Sequence, residues 1–501
     1  MKSSHKANWN KVAALVFSLV VLLAASGRSA QAQETQKPNP EVEQLKEKLQ
    51  KLEQTVEELK KQLAGLEQPR IAPAAAKPEQ PRLAPITARA EAPSAATSTA
   101  KVDAPGATTS TESPRANVSK GQEEKKGENT FQVYGFAMLD MGYDFKQNDP
   151  NWFDVIRPTK LPNSEKQFGA DGNTYFGVRQ SRLGVKSTTA TKFGELKTQF
   201  EFELFGTGVD AGQTTFRLRH AYGELGPVGA GQTWSPFMDI DVFPNSVEYW
   251  GPNGMVFFRN VQVRWMPLKG NNAITIALER PGASGDQGVF QDRIELQGIK
   301  PHFDLPDLSG NVRFTRGWGH VQIAGIVRQI KWVDTTNDQF NLNGHATGWG
   351  FNLTSNFNFS KNDIGRFAVV YGHGIENYMN DAPVDIGIER GSTTDPTRPI
   401  RGTALPVLGV VTFLDHNWNK KFSSSIGYSL VNIENSEFEA ANAYHRGQYG
   451  LTNLLFYPYE NVMVGGEFQW GRRANFGDGF AVNDYRIQFS FRYNFSRLFS
   501  L

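Results

Sequence analysis

The strongest constraint on how this chain folds is an alternation near its C-terminus. Tyr485, Ile487, Phe489, Phe491, Tyr493 and Phe495 share one parity, and Arg486, Gln488, Ser490, Arg492 and Asn494 share the other. Successive side chains of a strand point to opposite faces, so this is one strand with an aromatic-apolar face and a polar face. Phe131, Val133, Ala137, Leu139, Met141, Tyr143 and Phe145 alternate in the same way with Gln132, Asp140 and Asp144. So do Leu196, Phe200, Phe202 and Leu204 with Lys197, Gln199, Glu201 and Glu203, and Val462, Val464, Phe468 and Trp470 with Glu467 and Gln469. A soluble sandwich turns the apolar parity inward, whereas a transmembrane barrel turns it outward to lipid.

Three features favour the barrel. The strands exceed the roughly 9–11 residues that a tilted membrane strand needs. Their ends are rich in aromatics, as interfacial girdles are. Short turns such as Pro267–Asn272 and Ser360–Asp363 alternate with long polar loops such as 146–172 and 379–404. The rhythm predicts strands near 131–145, 173–190, 192–205, 213–226, 228–234, 255–266, 273–281, 308–317, 319–333, 345–359, 363–377, 404–417, 421–434, 443–457, 461–475 and 480–495. An even number of strands closes a barrel without free edges. The expected fold is all-β: a sixteen-stranded antiparallel transmembrane β-barrel with an N-terminal α-helical coiled coil, the barrel occupying 131–501.

The N-terminal quarter differs in texture. Lys2, Lys6 and Lys11 precede an apolar run over 12–25, and Ala30-Gln31-Ala32 supplies small residues for cleavage. This predicts a secretory signal peptide over 1–32, since the run is shorter than the roughly 20 residues of a membrane span. Val42, Leu49, Val56 and Leu63 with Leu45, Leu52, Leu59 and Leu66 follow a 3-4 spacing, which predicts a periplasmic coiled coil over 41–67. Residues 68–130, punctuated by prolines and rich in Ala, Ser and Thr, predict a disordered linker. Cysteine is absent, which excludes disulfides and thiolate sites. A net charge of +2 gives no bulk attraction to nucleic acid.

A channel needs a constriction. The run 235–250 after the short fifth strand mixes acids with large apolar groups, and folding it inward would hide that apolar surface. Basic residues gather on the strands around it: Arg179 and Arg182 on the second, Arg217 and Arg219 on the fourth, Arg259 and Arg264 on the sixth. With Phe216, Leu218, Leu183 and Val185 facing lipid, Arg217, Arg219 and Arg182 point inward. With Val261, Val263 and Trp265 facing lipid, Arg264 points inward, but Arg259 does so only if a bulge resets the parity. Guanidinium groups remain charged and present planar forks to carboxylates or phosphates. The expectation is an anion-preferring passage, with Asp239, Asp241 and Glu248 of the inserted run shaping a transverse field. Scattered lumen arginines without function are the plain alternative. No HExxH, GxSxG or P-loop is present, and the eight histidines lack ligand spacing, so no enzyme, cofactor or metal is expected.

These residues resemble a known family. Arg179-Gln180-Ser181-Arg182-Leu183-Gly184-Val185-Lys186 resembles the second strand of Gram-negative trimeric porins. The run from Arg217 to Leu225, followed by Gly229-Ala230-Gly231-Gln232, looks like their fourth and fifth strands, and Arg259-Asn260 like the start of their sixth. Together with the coiled coil, the resemblance is to the DcaP-like porins. It implies a homotrimer in the outer-membrane lipid of a bacterium, with the coiled coil in the periplasm. It also implies uptake of small anionic solutes such as dicarboxylic or aromatic acids, and places the family's constriction arginines on Arg182, Arg219 and Arg259. Departing from the usual porin pattern, Ser496–Leu501 follow the last aromatic of the final strand. Alternatives are a general or phosphate-preferring porin, or a structural tether joining outer membrane to cell wall through the N-terminal arm.

Overall fold

A computed structural model describes residues 129–500. The expected signal peptide, coiled coil and nearly all of the linker lie outside the described residues.

The chain forms β1 (Thr130–Asp144), β2 (Asn173–Gly177 and Arg182–Thr191), β3 (Gly194–Phe205), β4 (Thr214–Leu225), β5 (Val228–Trp234), β6 (Arg259–Leu268), β7 (Asn272–Glu279) and β8 (Asp307–Arg316). It continues with β9 (Gly319–Asp334), β10 (Gly344–Asn358), β11 (Asp363–His373), β12 (Pro406–Asn417), β13 (Phe422–Ile433), β14 (Tyr444–Tyr459), β15 (Val462–Asn475) and β16 (Ala481–Ser500). Both parts of β2 pair with β1, so they are one interrupted strand. Each strand is antiparallel to its neighbour, and β16 closes on β1 in unbroken register from Thr130↔Ser500 to Asp144↔Arg486. The wall is thus a closed barrel of sixteen strands. A three-residue ribbon, Ile299–Pro301, adds to the top of β9, and Ile386–Arg390 with Ile400–Ala404 forms a hairpin in the loop between β11 and β12. The residues after Phe495 are not a tail: Phe499 pairs with Phe131, so β16 runs to Ser500.

The direction of the faces identifies the solvent. On β16, Phe489 is 52% exposed while its neighbour Gln488 is fully buried. Phe491 and Tyr493 are also exposed, whereas Arg486, Ser490 and Asn494 are buried. Water would select the reverse, so the outer surface is built for hydrocarbon and the interior for polar groups. Among the described residues no helix is long and apolar enough to cross a membrane, and the strands do the crossing.

The interior is not uniformly polar. Ala324 and Ile326 of β9, Val370 of β11, Val407 of β12 and Val431 and Ile433 of β13 point inward and are buried against Phe237, Met238, Ile240 and Val256. The run between β5 and β6 therefore folds into the barrel and seals the apolar half of the wall. Burying backbone in this way leaves carbonyls that need donors. Wall amides supply them: Asn311 to Pro236, Asn352 to Phe237 and Gln322 to Met238, at 2.8–2.9 Å, and Asn356 to Asp241 at 2.6 Å. Contact is close at Gly254, where a Cβ would lie 2.2 Å from the Leu430 carbonyl oxygen; only glycine lets the two backbones meet.

Candidate functional site

Across the lumen from that sealed face, β2, β3, β4 and β6 carry the charges. Glu201 and Glu203 of β3 point inward and are buried. Arg219 donates to Glu201 at 2.5 Å and to Glu203 at 2.6 Å. Arg182 approaches the same two carboxylates at 3.5 and 3.7 Å, Arg217 reaches Glu203 at 3.6 Å, and Arg259 reaches it at 3.5 Å. Four guanidinium groups thus share two carboxylates, and the cluster keeps a positive excess. Arg182 and Arg217 leave 19% and 29% of their side-chain surface exposed, and Nη1 of Arg259 is buried without a hydrogen-bond partner. Such a group gains by donating to an oxyanion.

Aromatic faces hold the guanidiniums in place. Trp234, the last residue of β5, lies 5.4 Å from Arg219 and 4.9 Å from Arg259, and its carbonyl accepts from Arg264 at 2.9 Å. Arg264 also lies over Tyr222. Phe136 of β1 is flanked by Arg182 at 5.1 Å and Arg492 of β16 at 5.6 Å. Cation–π contact fixes the position of a charge without neutralising it. Tyr249 of the infolded run donates to Glu203 and stacks on Phe205 with ring centres 4.0 Å apart, which ties the run to the charged wall.

Arg182, Arg217, Arg219 and Arg259 come together, with Arg264 at their edge. Arg259 arrives differently from the expectation: β5 and β6 pair without a register break from Trp234↔Arg259 to Val228↔Trp265, so no bulge resets its parity. As the first residue of β6, it turns in with the infolded run. The parity break lies instead on β4, where Glu201 pairs with His220 and Phe202 with Leu218, leaving Arg219 as the bulged residue. Arg179 sits apart, in the interruption of β2. It is clamped by Asp154 at 2.5 Å and by the Gly206 carbonyl at 2.9 Å.

The three acids of the infolded run do not face the arginines across open space. Asp239 binds His320 at 2.7 Å, Arg313 at 3.3 Å and the Thr354 hydroxyl, and Asp241 pairs with Arg313, all on the far wall. Glu248 accepts from the backbone N–H groups of Ile156 and Gly251. These acids are thus tied to partners of their own rather than set against the arginines, and the arginine cluster carries a local excess of positive charge. Asp239, Asp241 and His320 place ligand atoms within 4.8 Å of one another, a metal-like spacing. Arg313 already serves both carboxylates, and the group reads as an anchor for the run. Sequence reasoning missed Arg313 as a lumen charge and Trp234 as the platform, and it placed Arg492 on a polar face without joining it to the arginine cluster. The parity of Arg313 on its strand was the available signal.

The fold is similar to the outer membrane channel DcaP of Acinetobacter baumannii, with TM-score 0.61 and 19% identity over 74% of this chain and 100% of that one. It is also similar to the anion-selective porin from Comamonas acidovorans, with TM-score 0.46 and 12% identity over 74% and 100% of the chains. The trimer form of OmpT of Vibrio cholerae matches with TM-score 0.45 and 13% identity over 74% and 100%. No curated protein sequence matches the chain. The family model of the DcaP outer membrane protein matches residues 116–495, and the chain is a member of that family of outer-membrane channels.

Proposed function

We propose that the barrel passes small anionic solutes, such as dicarboxylic or aromatic acids, by diffusion through a constriction lined by Arg182, Arg217, Arg219 and Arg259. The observation that carries this reading is the excess of guanidinium over carboxylate in this cluster, in which Arg182 and Arg217 remain partly exposed. A planar anion with two oxyanion ends suits paired guanidinium forks, and a narrow passage with low-dielectric walls concentrates such ions. In this reading the protein is exported by residues 1–32, assembles as a homotrimer in the outer membrane, and holds residues 41–67 as a periplasmic coiled coil.

Single-channel recordings with added solutes test the substrate class. Dicarboxylates and benzoate should interrupt the ion current in a concentration-dependent way, and neutral sugars of similar size should not. Equal block by phosphate would favour a phosphate-preferring or general porin, and no block by any anion would remove the proposal. Deleting 33–130 separates a channel from a tether, since a channel still conducts.

A further inference from the structure

A second cavity, of about 220 Å³, lies away from the arginine cluster, among the loops at the end of the barrel opposite the short turns. Its apolar lining comes from six stretches of chain, and Ile299, Ile330, Trp332, Leu342, Ile386 and Ile388 form much of it. Trp332 forms a rigid wall. Its indole N–H donates to the Leu342 carbonyl at 2.9 Å, and the ring is flanked by Gly344 and Gly402, where a Cβ would come within 2.5 and 2.6 Å of it. An indole held in this way is pre-organised for another ring to pack against. For scale, an apolar cavity of about 150 Å³ suffices to hold benzene.

The charged groups lining the cavity are already committed. Lys331 pairs with Asp304 at 2.6 Å, Arg401 with Glu389 at 2.9 Å, and the Asp286 carboxylate accepts from the Gly288 N–H at 2.7 Å. An anionic ligand would bury its carboxylate against the apolar lining at high cost, whereas an uncharged ring buries no charge.

We propose that this cavity binds small uncharged single-ring aromatic molecules, selected by shape and apolar contact, and is therefore a site of different chemistry from the anion constriction. Because Ile386, Ile388 and Arg401 belong to the hairpin in the β11–β12 loop, an occupant also fixes that hairpin against the barrel mouth.

The test uses the full chain in lipid nanodiscs and follows 4-fluorophenol by fluorine NMR, with empty nanodiscs as the blank. Saturable binding that phenol displaces is expected. Ile388→Trp fills the cavity and should weaken binding by at least about tenfold, as overpacking of a small site does. Ile299→Trp is a second such variant, and circular dichroism identifies which variants keep the barrel. Ionised 4-fluorobenzoate should bind at least about tenfold more weakly than 4-fluorophenol, since it alone must bury a charge against the apolar lining. Binding no greater than to empty nanodiscs, binding unchanged in the folded filling variant, or equal binding of the benzoate would each overturn the proposal.

Discussion

Glu203 accepts a hydrogen bond from Arg219 at 2.6 Å while Arg182, Arg217 and Arg259 stand 3.7, 3.6 and 3.5 Å from the same carboxylate. One buried anion thus holds four like charges together, and the remaining positive excess faces the lumen. Replacing Glu203 with Gln keeps the volume but leaves buried guanidiniums uncompensated. Breaking a buried pair in this way costs about 3–5 kcal/mol. The Glu203→Gln channel should unfold at lower denaturant concentration than wild type while showing stronger anion preference in those barrels that insert. Unchanged stability would mean that the carboxylate is not the hub of the cluster.

Arg259 is the reciprocal case. A charge about 4 Å from a passing ion is worth about 1 kcal/mol in a water-like medium, or about fivefold in relative permeability. Arg259→Gln should therefore lower the anion-to-cation permeability ratio by up to about that factor, and Arg182→Gln should do the same. Arg179→Gln should leave the ratio unaltered, because Arg179 is bound to Asp154 away from the cluster. Ion-selectivity recordings on the three variants distinguish these outcomes.

Phe237 anchors the infolded run, fully buried beside Tyr378 and against Gly350. Phe237→Ala leaves a cavity and costs about 3–5 kcal/mol of local anchoring. Residues 235–258 should then exchange backbone amide hydrogens faster, and single channels should conduct more with larger current noise. Faster exchange across the whole barrel would point instead to a global role.

Glu376, in the loop after β11, supplies a pH dependence. Both its carboxylate oxygens are buried without a hydrogen-bond partner. Burial first, and then the neighbouring charge of Asp385, push its carboxyl well above the ordinary 4.5, with Arg328 opposing. The folded protein keeps a proton that the unfolded chain releases above that value. The contribution is therefore complete below the ordinary carboxyl range and is lost as pH rises towards the folded value. The thermal midpoint should fall between about pH 5 and pH 8 in wild type, and less so in Glu376→Gln. Equal slopes in the two proteins would assign the effect to other groups.

The wall was legible because a strand's face pattern is local. Strand 228–234 agrees with the structure, and 319–333 stops one residue short of Asp334. The facing of Arg182, Arg217, Arg219 and Arg264 followed from parity alone. What parity could not supply was the partner list. Asp239 and Asp241 lie far in sequence from Arg313 and His320, and only the folded path of the infolded run brings them together. The inward-facing Val370 and Val431 broke the rule of polar interiors because that same run covers them, a tertiary effect no alternation encodes. Arg259 defeated the rule for a local reason: at the first residue of a strand the incoming chain, not the pleat, sets direction.

The most direct measurement of the central claim is the zero-current potential of the purified channel in a planar bilayer under a KCl gradient. If the arginine cluster selects the permeant ion, the potential takes the sign of chloride preference and moves towards zero in Arg182→Gln/Arg259→Gln. A potential of the sign of potassium preference, or one that the double variant does not move, would contradict it.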